Sequence, residues 1–182
     1  MISQEWLREE CLPEFKKEFL HTYRELVLCT TRFNNESYIQ NKIAKKKLKK
    51  ACMYCNIRSL TEVREDTYIF VLELNNSENK IAGIGLIPHI LHDVTYRIYE
   101  EDLYNQPFFA GKYHIARENV TDNEEELLTS LDRCCFYGKK HLKRGCWMTK
   151  FPINILAICL QHELDILDKI RMMFLVRFPI RL

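Results

Sequence analysis

The chain predicts an α+β fold: a small antiparallel sheet or partly closed β-barrel covered by N-terminal and C-terminal helices. Three observations carry this. All five glycines lie between residues 83 and 145. The flanking segments have none and repeat apolar residues at helical three- and four-residue steps. Between them, residues 67–74 and 80–87 form two β-branched, aromatic and aliphatic runs separated by the turn cluster Asn75-Asn76-Ser77-Glu78-Asn79.

Composition bounds the function classes. At 182 residues the chain fits one domain, and its 47% apolar content suffices for a core. Charged residues make up 29% and nearly balance, leaving +2. That excludes the composition of a disordered chain and of a strongly basic nucleic-acid packer, so any nucleic-acid role must rest on a local patch. No apolar run reaches the roughly 18 residues of a membrane span. The start, Met1-Ile2-Ser3-Gln4-Glu5-Trp6, lacks the apolar run of a secretory signal. The expected compartment is therefore the cytoplasm, with the nucleus as an alternative, and no membrane partner is expected. The eight cysteines then read as reduced thiols, packed as small apolar groups or binding metal.

Taken in order, residues 1–50 read as a helical N-terminal extension packed on an α+β core domain at 51–182, the two forming one compact unit. Ser3 can cap a short helix, and Pro13 suits the first turn of the next. Phe15, Phe19, Tyr23, Leu26 and Val27 draw one apolar stripe along that helix. Asn34-Asn35 is a turn, and a lysine-rich helix follows through Ile39, Ile43 and Leu48. Residues 67–74 and 80–87 form a hairpin, in which Gly83 and Gly85 mark a bulge or a close backbone approach. Residues 95–100 and 111–117 are two further strands. Thr121 and Glu124 form a capping box, opening a helix that carries Leu127, Leu128, Leu131 and Cys135. A last apolar helix runs from about residue 153 to 174.

Four groups of residues could carry chemistry. Lys112, Arg117, Lys139, Lys140, Lys143 and Arg144 could contact phosphates. Tyr104, Phe108, Phe109, Tyr113 and Trp147 could stack on bases, the pairing that single-strand binding uses. The competing reading makes the aromatics core and the lysines a solvated face. Cys52 and Cys55 have the C-x2-C spacing of half a zinc site, but the remaining candidates, Cys134, Cys135, His141 and Cys146, do not repeat it, and Met53-Tyr54 suits a strand. His89, His92, His114 and Cys146 are candidates for catalysis without a recognisable motif; Gly83-Ile84-Gly85 is half a dinucleotide fingerprint and reads as a β feature. The run at residues 45–50 holds five lysines, and Leu48 keeps the helical period through it. No cofactor is indicated.

Residues 68–87, ending in Lys80-Ile81-Ala82-Gly83-Ile84-Gly85-Leu86-Ile87, resemble the β-barrel hairpin of PUA-like domains, the group that includes the EVE, ASCH and YTH modules. The resemblance implies a small barrel flanked by helices that binds RNA or modified bases. A second set is similar to proteins of large nucleocytoplasmic DNA viruses: Phe70-Val71-Leu72-Glu73-Leu74-Asn75-Asn76, Gly83-Ile84-Gly85-Leu86-Ile87, Tyr104-Asn105, Gly111-Lys112-Tyr113-His114-Ile115, and the run from Cys135 to Gly145. It implies a virus-encoded protein working in infected cells.

The expected function is a non-enzymatic module for single-stranded or modified RNA or DNA. Its contacts would be Lys112, Arg117, Lys139, Lys140, Lys143 and Arg144, with Tyr104, Phe109 and Trp147 stacking. The alternatives are a structural or interaction protein docking through residues 153–182, such as a viral assembly or host-antagonist factor, and a cysteine- or metal-dependent enzyme.

Overall fold

The computed structural model describes residues 2–3, 5–24, 26–55, 60, 63–65, 67–94, 96–138, 141–145 and 147–182. The fold is α+β, with two separate sheets that do not close into a barrel. The elements are α1 (Pro13–Thr22), β1 (Leu26–Phe33), α2 (Asn35–Lys47), β2 (Cys52–Cys55), β3 (Tyr68–Asn75), β4 (Lys80–Pro88), β5 (Leu91–His92), β6 (Phe108–Gly111), β7 (Tyr113–Ala116), α3 (Asp122–Phe136), β8 (Thr149–Lys150), α4 (Ile153–Gln161) and α5 (Ile166–Arg177). One sheet has the strand order β7-β4-β3-β1-β8 and the other β2-β6-β5. All pairings are antiparallel except β1 with β3.

The larger sheet separates two apolar clusters. Alternation along β3 sends Phe70, Leu72 and Leu74 toward α1, α3, α4 and α5, and Ile69 and Val71 toward α2 and the smaller sheet. The hairpin β3–β4 forms where the sequence predicts it. Its register shifts beside Glu73/Leu74, leaving Ala82 as one extra residue in β4. The bulge lets Ile81 and Ile84, three positions apart, both face the helices. It also turns Gly83 and Gly85 to the opposite face, so the glycine pair marks both a bulge and a close approach.

The N-terminal fifty residues are not a helical extension. Leu26 and Val27 belong to β1, a strand inside the larger sheet, paired along its whole length with β3. The run Leu26-Val27-Leu28-Cys29-Thr30-Thr31 is rich in β-formers, and packing on both faces lets its first four residues be apolar without strand alternation. No domain boundary therefore falls at residue 50. Asn34-Asn35 ends β1 and opens α2: Asn34 Oδ1 accepts from Ser37 N at 2.8 Å, and Ser37 Oγ accepts from Asn34 N at 3.0 Å.

Three further expectations are corrected. Of the expected strand at 95–100, Thr95 lies outside the described residues and 96–100 are not a strand. Side chains take the backbone bonds a strand partner would: Asn105 Oδ1 accepts from Ile98 N and Tyr99 N, Asn105 Nδ2 donates to the Tyr99 carbonyl, and Gln40 Oε1 accepts from Glu100 N. The expected strand at 111–117 is split at Lys112, where the chain passes from the smaller sheet to the larger. The long C-terminal helix is two helices. Glu163 adopts φ +58°, Leu164 N donates to the Cys159 carbonyl, and Asp165 caps α5 by accepting from Asp168 N. Both helices bury their apolar residues in the core, leaving Met172 and Val176 exposed. The capping box at Thr121 and Glu124 forms as read from the sequence. Among the described residues, no helix is long and apolar enough to cross a membrane.

Candidate functional site

On the inner face of the larger sheet, Glu73 is fully buried in the middle of β3. A lone buried carboxylate costs several kcal/mol, so it must be paired. Three elements supply the partners. Lys45 Nζ, from α2, lies 3.4 Å from Oε1; Tyr54 on β2 donates its hydroxyl to Oε1 at 2.9 Å; His114 Nε2, on β7, lies 3.1 Å from Oε2. Burial alone would raise the Glu73 carboxyl, but His114, Lys45 and the Tyr54 hydrogen bond outweigh it and hold it at about 2. As an ionised acceptor, it requires the proton of His114 to sit on Nε2.

The glycines make room for this network. A Cβ at position 85 would lie 1.9 Å from Tyr54 Oη, and one at position 83 would lie 2.8 Å from His114 Nε2. Helix α2 pays for it in amphipathicity. It turns Asn41 and Lys45 inward and leaves Ile39 and Ile43 exposed. Asn41 Nδ2 donates to the Met53 carbonyl and to Tyr99 Oη, both at 3.0 Å. The network ties α2, β2, β3 and β7 together through one matched charge.

Cys52 and Cys55 occupy β2, where residues three apart point to opposite faces. Both thiols are buried, and burial raises them to about 12 and about 11. Cys52 Sγ donates to the backbone carbonyls of Leu86 and Tyr113. They therefore do not present two thiolates to one ion. Among the described residues, no group of three or more His, Cys, Asp or Glu side chains could hold a metal.

The second constellation is half-buried: Tyr104 is exposed, and Trp147 packs, partly buried, against the cluster that includes β2 and β6. Tyr104 and Trp147, 43 positions apart in sequence, bring their rings to 6.0 Å in an edge arrangement, and Tyr99 abuts Tyr104 at 6.3 Å. Trp147 adopts φ +73°. Arg32 holds this segment from below: its Nε donates to the Leu142 carbonyl at 2.7 Å and its Nη1 to the Trp147 carbonyl at 3.2 Å. The hairpin turn holds the other side. Asn76 Nδ2 donates to the Lys143 carbonyl at 3.0 Å, and Lys143 Nζ donates to Asn79 Oδ1 at 2.7 Å. Asn79 is neutral, and among the described residues no carboxylate pairs with Lys143. Arg144 is exposed.

The expected phosphate and base contacts divide accordingly. Tyr104 and Trp147 come together, Lys143 is held at the β3–β4 turn, and Arg144 and Lys112 are exposed, the latter at the β6–β7 junction. Lys139, Lys140 and Cys146 lie outside the described residues. Phe109 is fully buried, stacked on His89, and has no face to offer a base; Phe108 is buried beside His92. Tyr113 packs on Phe178. Arg117 is spent internally, with Nε and Nη2 on Glu125 and Nη1 on Asp132 and the Ile81 carbonyl. Asp132 Oδ1 in turn accepts from Ile81 N at 2.7 Å, so the pair clamps the edge of the bulge.

Sequence reasoning missed Glu73, Lys45 and Tyr54 as a group. The available signals were an acid inside an otherwise apolar strand and two glycines on the facing strand. No protein-family model matches the chain, and no curated protein matches it in sequence.

Proposed function

We propose that the protein is a non-enzymatic nucleic-acid-binding module that takes single-stranded or modified RNA or DNA at the Tyr104–Trp147 pair. The observation that carries the reading is the juxtaposition of those two rings at the end of a segment that is basic in sequence and whose backbone is anchored by Arg32 and by the β3–β4 turn. Bases stack on the aromatic faces, and Arg144, Lys143 and their sequence neighbours Lys139 and Lys140 meet phosphates. Arg117 and Phe109 are not part of this surface. The resemblance to PUA-like domains supports an RNA or modified-base ligand, and the resemblance to viral proteins supports a virus-encoded factor acting in the cytoplasm of infected cells.

Fluorescence anisotropy of labelled single strands tests it. The reading requires binding that weakens as salt rises and that falls when Tyr104 or Trp147 is replaced by alanine. Binding that is indifferent to salt or to both substitutions contradicts it.

A further inference from the structure

The outward face of α2 is the opposite of what its sequence pattern would bury. Ile39 and Ile43 are 57% and 63% exposed, while Asn41 and Lys45 lie inside. The Glu73 network explains why the polar residues turn inward. It does not explain why the outward stripe carries two isoleucines. Beside Ile43 runs a groove of 540 Å³ between α2 and residues 96–100, lined by Ala44, Leu48 and Ile98 among others. Lys47 and Arg97 line it against Glu100, and the exposed positions of α2 and the residues just after it add Lys42, Lys46, Lys49 and Lys50 against Glu36, with Glu101 and Asp102 following Glu100, so the balance is basic on the α2 side.

We propose that this surface docks an acidic amphipathic helix of a protein partner. Tyr96 and Tyr99 line one side of the groove, but beside Ile43 it is aliphatic, with Ala44, Leu48 and Ile98, and neither a base nor a phosphate gains from that part of the surface. A helix with apolar residues at i, i+3, i+4 and i+7 would fill the groove and cover Ile39 and Ile43. Its flanking glutamates or aspartates would meet the lysines, which set orientation and association rate.

The test uses the full chain with labelled isoleucine methyls and four probes: an acidic amphipathic peptide of about 20 residues, the same peptide with its acids changed to lysine, a single-stranded oligonucleotide, and phosphatidylserine-containing vesicles. The expected result is a saturable shift of the Ile39 and Ile43 methyl signals with the acidic peptide alone. An I39S/I43S variant, altered only at exposed positions, should bind that peptide at least about tenfold more weakly. Three results would overturn the proposal: no shift with the acidic peptide, equal binding by the serine variant, or a shift of these two methyls driven by the oligonucleotide or the vesicles. The Trp147 variant separates the two sites, because it should leave peptide binding unchanged whether or not it binds nucleic acid; Tyr104 packs on Tyr99 at the groove wall and does not serve for this.

Discussion

The hydroxyl of Tyr54 occupies the space over Gly85 that any side chain at that position would need. A Cβ there would come to 1.9 Å from Tyr54 Oη and 2.8 Å from Cζ. This contact delivers the hydroxyl to Glu73 on the neighbouring strand. It explains a glycine in the middle of a central strand, where glycine otherwise costs entropy and packing.

Substituting Gly85→Ala should therefore destabilise the protein by about 1–3 kcal/mol or more, as overpacking does. Urea unfolding of G85A, Y54F and the double variant checks the cause. Removing the hydroxyl relieves part of the clash, so the double variant should lose less than the sum of the singles.

Glu73 sets a second expectation. Glu73→Gln leaves Lys45 and His114 facing a neutral group inside the protein, at a cost of about 3–5 kcal/mol at neutral pH. The folded carboxyl sits at about 2, below its ordinary 4.5. Its contribution is thus fully present above pH 4.5 and is lost as pH falls toward 2. Urea unfolding at stepped pH should show the gap between wild type and E73Q constant above pH 4.5 and narrowing below it.

The Arg117–Asp132 clamp predicts a separation of stability from binding. Arg117→Met strips partners from Asp132, Glu125 and the Ile81 carbonyl, and should cost about 3 kcal/mol or more by leaving a buried carboxylate unpaired. Under conditions where R117M remains folded, its nucleic-acid affinity and salt slope should match wild type. A reduced slope would place Arg117 at the phosphates instead.

Arg144 should behave in the opposite way. Arg144→Ala removes an exposed charge with little effect on unfolding, but it should lower the slope of log K against log salt by about 1 if Arg144 meets a phosphate. Anisotropy titrations at several salt concentrations measure it.

Much of the fold was legible because periodicity and turn chemistry act locally. The β3–β4 hairpin, the Gly83–Gly85 irregularity and the Thr121 capping box follow from residues close in sequence. β1 was hidden because Leu26 and Val27 continue the spacing of Phe19 and Tyr23, and only pairing with β3, 42 positions on, makes them a strand. The orientation of α2 is not legible locally, since burial of Lys45 depends on Glu73 and not on neighbouring residues. For the surface site, composition offered aromatics and cations without saying which were free. Phe109 and Arg117 were lost to the core and to a clamp, whereas Tyr104 and Trp147 met only through tertiary packing.

The central claim is that Trp147 lies in a nucleic-acid site, and its own fluorescence tests that most directly. The chain has two tryptophans, and Trp6 stacks on His162 with ring centroids 4.3 Å apart. A Trp6→Phe variant leaves Trp147 as the sole reporter. Titration with single-stranded oligonucleotides should quench its emission saturably, and raising salt from about 50 mM to about 200 mM should restore it. Emission that stays unchanged throughout the titration at low salt would contradict the account.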